Sequence, residues 1–220
     1  MTENNQSSMA HVWVENGPLE STNKITAGWH VFPHLYGDSK THFYATWTKD
    51  NYKKTGCYNV QCPGFVQIDR KNHLGSYFPT TSIYGGPIQE VLISITQDPK
   101  TKNWWIAAGN TNIGYYPAAL FSNLGSADTA GWGGRTQANL GRASPPMGSG
   151  HFPDGNSIHS GYFRSPSVQD NSREEFTPNP IITKSFTDNS DCYTIDYYEP
   201  KVGFAGAVEF GGPGGANCGD

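Results

Sequence analysis

The chain has 220 residues, enough for one medium-sized domain with a sizeable core. Asp, Glu, Lys and Arg make up only 15% of it, against about 25% in an average globular protein, while Gly numbers 26 and Pro 15, a composition that favours many turns and few helices. The formal charge is −4 and no run of like charges could track a phosphate backbone or an anionic membrane, so neither nucleic-acid nor membrane partners are expected.

The first ten residues, MTENNQSSMA, are polar and lack the apolar stretch of a secretory signal. They are expected to be a disordered segment ahead of one domain over 11–220, and Asn5 in NQS is the one N-glycosylation acceptor pattern. No stretch approaches the ~18 consecutive apolar residues of a spanning helix. From there on, short apolar and aromatic runs recur with turn residues between them. They are HVWV (11–14), ITAGWHVF (25–32), THFYATWT (41–48), GFVQI (64–68), EVLISIT (90–96), NWWIAAG (103–109), NIGYY (112–116), GYFRS (161–165), CYTIDYY (192–198) and GAVEF (206–210). Runs this short and this regularly punctuated predict strands. The clearest hairpin joins Val91, Ile93 and Ile95 through TQDPKTKN to Trp104, Trp105 and Ile106. One helical piece of one or two turns is expected in PAALFSNL (117–124), from Pro117 to a stop at Gly125.

Four cysteines stand at 57, 62, 192 and 218, with neither a CxxC nor a Cys/His zinc spacing, so no metal or cofactor is expected and disulfides are the reading. Local pairing, Cys57 with Cys62 and Cys192 with Cys218, clips one tight turn and pins the C-terminus, and it implies an oxidising compartment. Many short strands and abundant aromatic residues are best accommodated by an all-β antiparallel sandwich of two packed sheets. Such a fold carries lectins, peptidases and adhesion modules alike, so it does not by itself name a chemistry.

Nine segments in order resemble the neprosin domain: HVWVENGP, ITAGWHVFPHLYGD, ATWTKDNYKKTGCYNVQCPGFVQID, QDPKTKNWWIAAG, IGYYPAALFSNL, GWGG, MGSGHFPDG, GYFR and FGGPGGANC, together spanning roughly residues 11 to 218. The resemblance implies a glutamic-peptidase/concanavalin-like sandwich of a family common in plants. Its members are secreted or vacuolar and made with a signal and a propeptide that this sequence lacks. It also implies an endopeptidase that cuts after proline in acid, with one catalytic glutamate in an I-E-A-G-W motif and the other in W-G-G-E, on strands of one sheet. Here the first motif reads ITAGW, with Thr26 at the glutamate position, and the second reads WGGR, with Arg135.

In such a pair one carboxyl stays protonated to donate while the other, ionised, activates water. A threonine hydroxyl has no useful basicity, and a guanidinium stays charged and accepts no proton. The acids nearest in sequence are Glu20, Asp128 and Asp154. A third departure is Ser144, Pro145 and Pro146 where the family has a polar Thr-Gln.

The remaining candidates for the groove are His30, Arg135, Gln137, His151 and Tyr162. His30 lies four residues beyond Thr26 and so on the same face of a regular strand, whereas Trp29 and Trp132 fall on the opposite, core side. His151 and Tyr162 are as readily a loop-ordering histidine and a buried aromatic. Arg135 calls for a carboxylate or an anionic ligand. The readings left open are a domain that holds a peptide or small molecule without cutting it, a repurposed non-hydrolytic enzyme, and residual peptidase activity through another acid, in each case as a monomer.

Overall fold

The apolar and aromatic runs form antiparallel strands, and the computed structural model describes them over residues 5–199 and 206–218. In chain order they are β1 (Ser7–Asn16), β2 (Asn23–Val31), β3 (His42–Thr48), β4 (Cys57–Tyr58), β5 (Val66–Gln67), β6 (Ile93–Gln97), β7 (Trp104–Ala108), β8 (Thr111–Tyr116), β9 (Thr129–Gln137), β10 (Gly161–Arg164), β11 (Val168–Gln169), β12 (Glu175–Phe176), β13 (Thr194–Tyr198) and β14 (Ala207–Gly211). A five-stranded sheet runs β4-β3-β2-β1-β9, a four-stranded sheet β5-β8-β7-β6, and a three-stranded sheet β10-β14-β13; β11 and β12 form a small ribbon.

The five-stranded sheet is one layer of the sandwich. One of its faces supplies Ile25, Ala27, Phe43, Ala45 and Trp47 to a core shared with Trp104, Ile106, Ile113 and Tyr116 of the four-stranded sheet. Ala10 and Trp29, on the same face, pack with Met147, Tyr193, Phe163 and Phe210 around the three-stranded sheet. The expected all-β sandwich is therefore present, with its second layer divided between two sheets.

Two expectations need correction. Strand β1 begins at Ser7, inside the segment expected to be disordered, because Met9 and Ala10 are buried and the backbone pairs on both edges, with β2 and with β9. The piece after Pro117 forms as a single short turn, a 3-10 turn at Ala118–Leu120, but it is not alone: a helical turn, Pro33–Tyr36, forms between β2 and β3, closed by Gly37 at φ 76°, a left-handed conformation that favours glycine. Both disulfides form as expected, Cys57 with Cys62 and Cys192 with Cys218, and no cysteine is free.

Strand β9, TAGWGGRTQ, carries too many glycines to read as a strand by propensity. The glycines are there for space. A Cβ on Gly131 would lie 2.2 Å from the Trp13 ring, and one on Gly134 would lie 2.4 Å from Met147 Sδ, so bulky neighbours press on the edge strand from both sides. Gly131→Ala should lower unfolding free energy by about 1–3 kcal/mol, the range for overpacking. Gly125→Ala, at a position with nothing within 4 Å of the added carbon, should stay within about 0.5 kcal/mol. Urea unfolding curves of the two variants check the contrast; equal losses would reject the packing account.

Candidate functional site

Strand alternation sends one set of side chains into the core and the other to the opposite face of the five-stranded sheet. That front face carries Met9, His11 and Trp13 from β1, Thr26, Gly28 and His30 from β2, His42, Tyr44 and Thr46 from β3, and Gly131, Gly133, Arg135 and Gln137 from β9. Thr26 stands opposite Trp13 on one side and Thr46 on the other. Arg135 stands opposite Met9, which in turn faces His30. Thr26 and Arg135 therefore share a face but are not neighbours: β1 runs between them and they are four residues out of step, roughly 16 Å between Cα atoms at ordinary strand spacings.

The midpoint of that diagonal is His11. It is flanked by Gly28 on β2 and Gly133 on β9, so no side chain rises on either side of it. Its Nδ1 hydrogen-bonds the Tyr44 hydroxyl at 2.7 Å, and its ring meets Trp13 edge-on at 5.6 Å. Behind it the rings continue as a ladder. His30 stacks on Tyr44 at 4.1 Å, its Nε2 hydrogen-bonds the Tyr36 hydroxyl at 2.6 Å, and Tyr36 stacks on His42 at 3.7 Å. His42 is fixed at both nitrogens, by the Gly75 carbonyl at 2.7 Å and Asp38 Oδ1 at 2.9 Å.

A family model described as Neprosin matches residues 4–213. The chain belongs to the neprosin family. In this neprosin domain the positions aligned by motif with the family's glutamates are Thr26, only 4% exposed, and Arg135, which is exposed. Among the described residues, the carboxylates of Glu15, Glu20, Asp50 and Asp154 are engaged elsewhere. Glu15, on the same face, is ion-paired with Lys24 at 2.9 Å; Glu20 pairs with Lys53; Asp50 is engaged by Thr48 and Thr55. Asp154 pairs with His159 on a different part of the molecule. Arg135 has no ion pair or hydrogen bond among the described residues.

Of the sequence-derived candidates, His30, Arg135 and Gln137 share the front face with Thr26. His151 does not: it lies exposed in the 148–160 loop, against the Tyr84 ring at 4.1 Å. Tyr162 also lies elsewhere, on β10, where its hydroxyl donates to Glu90. Trp29 packs at 5.9 Å from Phe163 on the core side, as alternation requires. The Ser144–Pro146 departure is tied into the C-terminal segments, since the Pro145 carbonyl accepts the Tyr193 hydroxyl at 2.8 Å and Ser144 bridges to Gly215. His11 and Tyr44 escaped the sequence reading although the signal was available: counting by twos back from Trp13, opposite Thr26, leads to His11.

Burial pushes the imidazole of His11 down to about 3, with repulsion from Lys24 and Arg135 acting the same way. His30 is likewise pushed to about 3, by burial first and then by His42 and His11. Its Nδ1 is buried with no hydrogen-bond partner. Tyr36 is pushed up to about 12, mainly by burial. The His11 and His30 rings on this face are therefore neutral, and Arg135 is a charge left without an ion-pair partner on it.

Two disulfides, and no helix among the described residues long and apolar enough to cross a membrane, are compatible with a secreted or vacuolar protein.

Because both folded pKa values lie below the usual 6.5, the unfolded chain binds more protons in the interval between. The stability gained by keeping these rings neutral is present above pH 6.5 and is lost as pH falls from 6.5 toward about 3. The carboxylates of Asp38 and Asp50, held low by hydrogen bonds from His42 and Thr55 respectively, lose their contribution only further into acid. NMR titration should find the His11 and His30 rings uncharged at pH ~5, below the ordinary histidine range. A midpoint near 6.5 for either ring would contradict the packing described.

Proposed function

We propose that this neprosin domain binds a peptide or small molecule bearing an anionic group on its front face and does not cleave it. One observation carries the reading: where the family motifs have two glutamates, this sheet presents a nearly buried threonine and an exposed arginine without a partner. Glutamic-type hydrolysis needs one carboxyl to donate and one to activate water, and neither exists at these positions. The other acids at this end of the sheet are committed to Lys24, Lys53 or threonine hydroxyls, which argues against rescue by a substitute.

What remains suits recognition. The guanidinium projects from the edge strand on a face that also carries rings, where a carboxylate or phosphate is held by charge-assisted hydrogen bonds and the partly exposed Trp13 and Tyr58 offer apolar contact. A repurposed enzyme is the second reading. The His11–Tyr44 hydrogen bond is the one acid-base pair that supports it, with a half-buried imidazole bordered by glycines. His30, the histidine the sequence suggested, is a poor agent for such chemistry, because it is wholly buried and enclosed by Tyr44 and Tyr36. The setting in which this operates is, on this reading, extracellular or vacuolar.

Calorimetry against paired ligands, a proline-containing peptide with a free carboxylate and its amide, tests recognition. The carboxylate form should bind more tightly, and Arg135→Ala should remove about tenfold or more of that preference, the scale of a lost charge-assisted hydrogen bond. Equal affinity for both forms, unchanged in the variant, would remove Arg135 from recognition.

Catalysis has its own assay. The unaltered chain should leave proline-containing peptides intact across acid pH, whereas Thr26→Glu with Arg135→Glu should acquire cleavage that rises with acidity and that neither single variant shows. Hydrolysis by the unaltered chain at the rate of the double variant would overturn the non-proteolytic reading.

A further inference from the structure

The three-stranded sheet has an outer face of its own, remote in composition from the front face. Across it Tyr162 on β10, Glu209 on β14 and Asp196 on β13 stand in one row, and Arg164, Ala207 and Tyr198 in the next. Phe210 alternates inward to the core, so Glu209 points outward. Yet Glu209 is only 3% exposed. The loop around Gly155 folds over it: the Gly155 N–H donates to Glu209 Oε2 at 3.2 Å, and the Gly155 backbone lies against the Tyr198 ring. Between loop and sheet is a cavity of about 520 Å³, floored by Ala207 and Glu209 and walled by Tyr162, Arg164, Tyr198 and Ser157.

Among the described residues the charges lining this cavity do not balance. Their one cation, Arg164, is held by Glu90 at 2.6 Å, and Glu90 also accepts the Tyr162 hydroxyl. Glu209 is left with one neutral donor, the Gly155 N–H; the nearby Ser160 hydroxyl is buried with no hydrogen-bond partner of its own. Burial pushes its carboxyl above the ordinary value, and Asp154 and Asp196 push the same way against the pull of the Gly155 N–H. Glu199 adds another acid at the rim.

A carboxylate enclosed without a counter-charge is unfavourable unless something cationic fills the space beside it. Tyrosine faces add attraction for a cation and none for an anion. A neutral ligand would leave the carboxylate uncompensated, and an anion would be repelled by Glu209, Asp196 and Glu199.

We infer that this cavity binds an alkylammonium group, with Glu209 as its anionic floor and Tyr162 and Tyr198 as its aromatic walls. The ammonium donates to the Glu209 carboxylate while its alkyl stem lies over Ala207 and the tyrosine rings. Neither Thr26 nor Arg135 takes part, so the site is independent of the front face.

The test is NMR titration of the isotope-labelled chain at pH 7 with n-butylammonium chloride, with n-butanol and sodium butyrate as neutral and anionic counterparts. Saturable shifts of the Gly155, Tyr162 and Ala207 amides are expected with butylammonium alone. Glu209→Gln, which keeps the shape and the acceptor for Gly155, should weaken binding about tenfold or more. Tyr198→Leu should weaken it severalfold, and it decides the matter if the glutamine variant does not fold. Binding of n-butanol as tight as that of butylammonium, shifts confined to amides near His11 and Arg135, or undiminished affinity in a folded Glu209→Gln or Tyr198→Leu variant would each overturn the assignment.

Discussion

Strand β1 is hydrogen-bonded along both edges, from Asn16 opposite Asn23 to Ser8 opposite Val31 on one side, and from Glu15 opposite Thr129 to Ser7 opposite Gln137 on the other. Because side chains alternate with a period of two, a slip of one residue would move Trp13 and His11 into the core and bring Ala10, Val12 and Val14 out. Close packing forbids it. A Cβ at Gly28 would lie 2.0 Å from the Ala10 carbonyl oxygen and 2.8 Å from His11 Cβ, so β1 and β2 approach closely only where His11 meets a glycine. On the other edge the Trp13 ring occupies the space that Gly131 leaves. The same contacts that set the register put His11 midway between Thr26 and Arg135, and everything the front face can do follows from that placement.

The electrostatics of the face follow from its packing. The His30 ring, stacked on Tyr44 at 4.1 Å, has no room for hydration, and burial there favours its neutral form. Lys24 is paired with Glu15 and lies over the Trp13 ring at 4.8 Å, while His42 is fixed by Asp38. Arg135 is left as the exposed, unpaired cation of this face, and its field already reaches His11, Tyr44 and Tyr58. An interaction with an anionic group above low-polarity rings is screened less than the same interaction in open water.

Most strands were legible because their residues obey a period of two between turn formers: EVLISIT and NWWIAAG became β6 and β7 with the expected turn between them. Strand β9 was not, because Gly131 and Gly134 answer to the volumes of Trp13, Met147 and Phe210 on other segments, which no local pattern records. The start of β1 was hidden for a related reason: QSSMA looks polar, yet Gln6 and Ser7 are buried, and Gln6 donates to the Ala143 carbonyl at 2.7 Å across 137 residues of chain. In the site, motif spacing located Thr26 and Arg135, and alternation located His30. Tyr162 and His151 were misdirected because short motifs say nothing about which sheet or loop carries them. Glu209 gave no signal in GAVEF, since only the fold of the Gly155 loop makes that carboxylate buried.

Alternation also explains how the altered positions are tolerated. Thr26 and Arg135 face away from the core, while Ile25 and Ala27, the strand neighbours of Thr26, are wholly buried in it. A change at an even step along β2 alters the chemistry of the front face and leaves the packing against the four-stranded sheet untouched, so the stability of the sandwich and the identity of its site residues are set by different halves of the same strand. The reverse holds for the ring ladder. His30, Tyr44 and His42 are buried on the front face and pack on one another, so a substitution among them disturbs both the wall of the site and the folded state. Functional change is therefore least constrained at the two ends of the Thr26–His11–Arg135 diagonal and most constrained behind it, and the departures from the family motifs on this face fall at those two ends.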